Sequence, residues 1–480
     1  MDFPIFHLDW LGNRMLIAVI AVIHVLINHA LAVGFIPFIT FIEYLGYRRR
    51  PADPLAAQAW DDLARRMMAV CFILTTTVGA LTGVGIWFST ALVNPDAIGS
   101  LIRVFFNAWF TEWVVFVLEV VFVMLYYYTW RKSAASDAAK RRHIHFGVAL
   151  SVFSWLTMAV IVAILGFMMD PGAWPVTRTF LSGFANPIYV PQLYFRTALA
   201  MMMGGAVGLL LAALLTGRDS PIRRPAVRYA ALWMLVWTPL VAVGAFVYRA
   251  VIPGEMLRNM PTAVSTLVFS QWYDSLVVII VGSLVAAATV ALWGFALPRW
   301  LPRVAAVVPI ICLAYFVGSF ERVREFIRKP YVIKDYMYAN GLRIEEYPIY
   351  QRDGVLPHAA FAAPGADRLA AGRDVFMVAC SRCHTVTGIN SVTDKFRRLA
   401  PPGRTMGAAD MRDYILRMHK AWYFMPPFPG NAAELDVLVD YIQAVDRRPE
   451  PPPGAQDAGV TVNPDRRLPA PEPAAPRKGV

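Results

Sequence analysis

Acidic residues are scarce in this chain, and cysteines scarcer still. Of 480 residues, 33 are Asp or Glu against 45 Lys or Arg; charged residues make up 16% and hydrophobic ones 57%. A water-soluble chain of this length would not be so apolar, so a polytopic membrane protein is expected. Only four cysteines occur, and Cys71 and Cys312 stand alone in apolar runs, so no disulfide framework is indicated. No cleavable leader is expected, because the first apolar segment is too long and lacks a small-residue cleavage site behind a basic start. Internal repeats are absent too. The basic excess, net +12, is gathered in particular loops. It reads as a topology signal, and no nucleic-acid partner is expected.

Eight apolar segments are long enough to span a bilayer, near Leu16–Tyr44, Met67–Leu92, Val104–Thr129, Phe146–Met169, Leu193–Leu215, Ala230–Ile252, Leu276–Ala296 and Val304–Phe320. Arg48 to Arg50 follow the first, Arg131, Lys132 and Lys140 to Arg142 the third, and Arg218, Arg223, Arg224 and Arg228 the fifth. Arg299 and Arg303 lie between the seventh and eighth. These loops are expected in the cytoplasm and both termini outside, in the periplasm of a bacterial inner (plasma) membrane.

The pair Cys380 and Cys383 sits in Cys380-Ser381-Arg382-Cys383-His384. Two thiols two residues apart, with a histidine directly after, are the attachment pattern of a c-type haem. The thiols bind the haem covalently, and His384 becomes an iron ligand. Met425, in Tyr423-Phe424-Met425-Pro426-Pro427-Phe428, is placed to be the second, with Met406, Met411 and Met418 as lesser candidates. A chance CxxC redox pair or half a zinc site is the competing reading, and no second CxxC completes such a zinc site. Covalent haem belongs outside the membrane, which agrees with the charge-based topology. The apolar residues of Ala432–Ile442 recur at helical spacing. A helix into CSRCH, a Pro/Gly/Met-rich middle and this last helix resemble a class I cytochrome c. Beyond Arg447, Pro and Ala dominate, as in a disordered tail.

Ionisable residues inside spans are costly and therefore functional candidates. The first span carries His24 and His29, roughly 140° apart on a helix. His24 lies about 15 Å along the axis from Arg14, near mid-membrane, where a neutral imidazole suits haem iron or a hydrogen-bonded packing role. Glu112 and Glu119 are two turns apart on one face of the third span, as proton carriers would be. The alternative is an ion pair with Arg103 or Arg322. The eighth span ends in a dense run of charges, Glu321 to Lys329, read either as interfacial anchors or as an iron site in which Arg328 orients the Glu325 carboxylate.

Together these pieces resemble subunit I of the cytochrome bd quinol oxidase family over about residues 5–350. Arg14 and His24 match an arginine ten residues before a haem-ligating histidine. Glu325-Phe326-Ile327-Arg328-Lys329-Pro330-Tyr331 matches a Glu-x-x-Arg-x-Pro-aromatic motif whose glutamate ligates a high-spin b haem. Gly166 to Pro171 resembles the end of the family's fourth helix, and Glu112 and Glu119 its paired carboxylates at a spacing one residue shorter. Two departures stand out. Arg196 occupies the position aligned with the histidine of the family's low-spin b haem, and the long quinol-binding loop is missing.

The expected fold class is all-α: a polytopic membrane helical bundle of about eight transmembrane helices plus a small α-helical cytochrome c domain. The expected division is a membrane haem domain at 1–325, a periplasmic connector at 326–365, the cytochrome c domain at 366–447 and the tail at 448–480. Expected cofactors are one covalent haem c and one or two b-type haems, one of which the resemblance allows to be a haem d. The first function expected is electron transfer between the c haem and a membrane haem within a respiratory complex. The resemblance implies a second membrane subunit; a periplasmic electron-transfer protein is the other expected partner. The alternatives are a cytochrome c-coupled oxidase reducing oxygen and a haem-free membrane anchor for the cytochrome c.

Overall fold

The computed structural model describes residues 5–217, 219–265, 273–362, 367–400 and 405–446. The tail expected at 448–480 lies outside the described residues. Contacts divide the chain into two units: residues 14–341, and residues 342–480 together with 1–13.

The first unit is a helical bundle. Helix α1 (Asn13–Ile27) runs through a π-helical segment (Asn28–Val33) into α2 (Phe35–Arg49). Helix α3 (Pro54–Leu74) runs likewise through a π segment (Thr75–Gly79) into α4 (Ala80–Val93). Next come α5 (Pro95–Val104), α6 (Phe106–Tyr128), α7 (Asp137–Met169), α8 (Tyr189–Leu215), α9 (Arg223–Val251), α10 (Tyr273–Ala296) and α11 (Val308–Ile327). Local chemistry sets several starts. The Asp53 carboxylate accepts from the Ala56 amide with Pro54 at the first helical position, and Ser136 accepts from the Ala139 amide. A short hairpin, β1 (Tyr331–Ile333) against β2 (Met337–Tyr338), follows α11.

Among the described residues seven helical stretches are long and apolar enough to cross a membrane, and the apolar part Ile280–Ala296 of α10 stands at the seventh of the eight expected segments. The all-α bundle is therefore borne out. The first two spans are longer than the hydropathy read, because each is interrupted by a π turn and not by a loop. Large apolar side chains such as Leu81, Phe88, Phe106, Phe110 and Trp113 stand exposed along α4 and α6, as a membrane interior allows. Elsewhere small residues bring backbones together. A Cβ on Gly34 would stand 1.8 Å from the Ala200 carbonyl oxygen, and one on Gly204 2.1 Å from the Gly34 carbonyl. This close approach of the first span to α8 needs glycine on both sides.

The second unit holds α12 (Tyr347–Asp353), α13 (Arg368–Ala379), α14 (Val392–Leu399), α15 (Ala408–Ala421) and α16 (Ala432–Asp446). Helix α16 lies on α13 at Gly372, where a Cβ would meet the Val437 carbonyl at 2.1 Å. Val375, Phe376, Ile415, Leu435, Leu438 and Ile442 form the heart of the core. Each such side chain contributes about 1.5–3 kcal/mol on burial. The buried Glu434 carboxylate accepts from the amides of Val355 and Leu356, both at 2.8 Å, and so joins the segment after α12 to α16.

Candidate functional site

In the second unit, α13 ends at the Cys380 amide, which donates to the Phe376 carbonyl, and the CSRCH residues continue as one more turn: the Cys383 and His384 amides reach the Cys380 carbonyl at 3.0 and 2.9 Å. Both motif cysteines are free. Burial, aided by the neighbouring Cys383, pushes the Cys380 thiol up to about 12. Among the described residues no group of three His, Cys, Asp or Glu side chains is placed to hold a metal ion. The His384 Nδ1 lies 3.1 Å from the Asn390 carbonyl and 3.3 Å from the Asn390 side-chain amide nitrogen, so Asn390 orients the ring. Asn390 adopts a left-handed backbone (φ 63°), and its amide donates to the Cys383 carbonyl at 2.7 Å. Of the methionine candidates, Met411 is buried in the core, and Met406 and Met418 pack against it. Met425 is half-buried, in the loop between α15 and α16.

A brace that motif reading missed holds this region. Asp9, near the start of the chain, accepts from the Val386 amide at 2.6 Å, the Thr387 amide at 3.2 Å and the Thr387 hydroxyl at 2.6 Å. Gly388 makes room, since a Cβ there would stand 1.9 Å from the Asp9 carbonyl. Partial burial opposes ionisation, but the Thr387 hydroxyl and the two amides outweigh it and hold the Asp9 carboxyl below the usual carboxylate value. Asp9→Ala is therefore expected to cost about 1–2 kcal/mol at neutral pH, allowing for its partial exposure. Because the folded value is depressed, this stabilisation is present above the unfolded value of about 3.9 and lost as pH falls through the folded value. Thermal melts of the full chain with and without the substitution should differ at neutral pH and converge in acid.

In the bundle, His24 and His29 turn to different partners. The His24 Nδ1 meets the Gly79 carbonyl at 3.1 Å and the Thr82 hydroxyl at 3.3 Å. A carbonyl only accepts, so Nδ1 carries the proton and Nε2 keeps its lone pair. Gly79 closes the π segment of the second span, and Gly83 clears the ring, with a Cβ there 3.1 Å from Cε1. Such π turns recur at functional sites. At the end of α11, Arg328 grips both oxygens of Glu325 at 2.6 and 2.9 Å, and its Nε is buried with no hydrogen-bond partner among the described residues. Arg14 lies over the Phe326 ring, 5.4 Å from its centroid. On α6, the Glu119 carboxylate accepts from Ser154 at 2.7 Å and Thr157 at 3.1 Å, while Glu112 is half-buried.

Two buried clusters went unread in the sequence. The first contains Arg196, which donates to Glu321 at 2.5 Å and to the His29 Nε2 at 3.2 Å, while Arg324 donates to the other Glu321 oxygen at 2.9 Å. Arg196 Nε and Arg324 Nη1 are buried with no hydrogen-bond partner among the described residues. The second links Glu43, Lys140, His143, Tyr126 and Asp61. The spacing of Glu321 and Arg324 was a local signal; the pairing of Arg196 with Glu321, 125 positions apart, had none.

A polytopic bundle of long apolar helices with polar side chains buried between them is that of an integral membrane protein. The chain belongs to the cytochrome bd terminal oxidase subunit I family, whose description matches residues 13–252. The fold is similar to that of the bd oxidase from Geobacillus thermodenitrificans, at 17% identity and a TM-score of 0.53, over 69% of this chain and 90% of that one. No curated protein matches.

Proposed function

We propose that this chain is the haem-bearing subunit of a respiratory electron-transfer complex, exchanging electrons between a covalent c-type haem in the 342–446 unit and a b- or d-type haem in the bundle. The observation that carries the reading is the His24 imidazole, whose Nδ1 is committed to a backbone carbonyl and whose Nε2 thereby keeps its lone pair inside an apolar helix pair. The residues present fit such a group. Glu325, held by Arg328, retains acceptor capacity on each oxygen, and the orphaned Arg328 Nε suits an anionic substituent such as a propionate. In the second unit, Cys380 and Cys383 would carry the haem covalently, with His384 and Met425 on its iron. When bound, these groups supply one-electron chemistry.

The protein's own residues orient and exclude. Gly79 sets the tautomer of His24, and Asn390 orients the His384 ring. Apolar walls keep water out, and Glu119 with Glu112 would hold protons on one face of α6. The position aligned with the low-spin haem histidine does not fit that group: Arg196 stands there, neutralised by Glu321, so no ligand is offered to iron. Membership of a terminal oxidase family favours a second reading, oxygen reduction in the bundle with the c-type unit as electron donor in place of quinol. A second membrane subunit would cover the exposed faces of α4 and α6. The second unit would face the periplasm of a bacterial plasma membrane and meet a soluble electron carrier there.

His24→Ala is expected to lose one membrane haem while the covalent pigment stays, as read by the pyridine haemochrome ratio of b to c. An unchanged ratio refutes the ligand assignment. Carbon monoxide binding to the reduced protein separates the oxidase reading from the relay.

A further inference from the structure

We propose that Glu43, Asp61, Lys140 and His143 form a buried proton-holding site that supplies Glu119 and Glu112. This rests on the proton-carrying reading of those two glutamates.

Hydrogen-bond chemistry carries the argument. The His143 Nε2 lies 2.8 Å from the Tyr126 carbonyl, which can only accept, so Nε2 bears a proton. The His143 Nδ1 lies 2.6 Å from Glu43 Oε1. A bare nitrogen and a bare carboxylate would repel at that distance, so a second proton lies between them. Glu43, Lys140 and His143 are all at most 2% exposed, so the proton is held where solvent does not reach it directly. The groups facing His143 are Glu43 on α2, Asp61 on α3 through Lys140, Tyr126 on α6, Trp130 just after α6, and Lys140 on its own helix.

The cluster has two ends. Asp61, with a side chain 26% exposed, is its contact with solvent, and it is held by Lys140 and by the Trp130 indole at 3.2 Å. At the other end the Tyr126 hydroxyl donates to Glu43 Oε2 at 2.8 Å. Tyr126, Glu119 and Glu112 recur every seven residues on one face of α6, about 10 Å apart along the axis. Gly147 lets Tyr126 and the Thr40 hydroxyl pack there, since a Cβ would meet them at 2.9 and 2.5 Å. When the shared proton passes toward Glu119, the cluster is left with one negative charge and refills from solvent through Asp61.

The test uses the full chain in lipid nanodiscs. Nitrogen-15 histidine magnetic resonance at neutral pH should show a buried imidazolium that His143→Asn removes. Proton uptake on flash reduction, followed with a pH dye, should slow about tenfold or more in Asp61→Asn, a substitution at a partly exposed side chain that leaves the buried groups in place. A neutral His143, or uptake untouched by Asp61→Asn, overturns the proposal. No reduction-linked uptake in the unsubstituted protein instead sinks the proton line through Glu119 and Glu112.

Discussion

Glu321→Leu is expected to destabilise the bundle by about 3–5 kcal/mol, the cost of leaving buried charge uncompensated. Glu321 is the anion shared by Arg196 and Arg324, at 2.5 and 2.9 Å. Arginine cannot shed its proton to escape, so the loss falls wholly on folding. The aromatic wall of Phe195, Tyr248 and Phe320 around the pair offers no other acceptor of comparable strength: Phe320 meets Arg196 only through its ring face, 5.3 Å from the centroid. Pairing the change with Arg196→Leu should recover much of the loss, because the two substitutions remove opposite charges from one contact. Denaturant unfolding of the four species of this cycle measures the coupling. A cost below about 1 kcal/mol for the single substitution would show that the pair is solvated and that Arg196 is not neutralised.

The second large effect tests the proposed covalent haem. Replacing Cys380 and Cys383 with serine is expected to abolish covalent haem altogether, read as loss of haem stain on a denaturing gel, while haem extractable from the membrane unit remains. Serine hydroxyls do not form the thioether bonds. His384→Ala should leave any attached haem without its axial nitrogen and lower its reduction potential or its yield. A stained band in the double serine variant would remove the c-type reading and leave CSRCH as an ordinary helix end.

Much of this organisation is legible in local sequence. The spans follow from apolar runs, and a helix of about 20 apolar residues has few alternatives in a bilayer. CSRCH is one turn of helix whose geometry is set by nearest neighbours. The π interruptions were not legible, because Asn28–Val33 and Thr75–Gly79 read as ordinary helix by composition. The contact units likewise rest on packing: the bundle unit continues through the hairpin to Gly341, and the second unit takes in the first thirteen residues. Contacts, and not polarity, define a unit.

The sequence alone determined that this is a multi-span membrane chain, and it supplied the residues on which the proposed haem sites rest. Each of these depends on composition or on neighbours within a few residues. Tertiary structure decided that Arg196 meets Glu321, that Asp9 braces the loop after CSRCH from 377 positions away, and that His143, Glu43 and Lys140 close into one cluster. Buried charges choose partners by distance in a medium of low dielectric, and that distance exists only once the helices have packed.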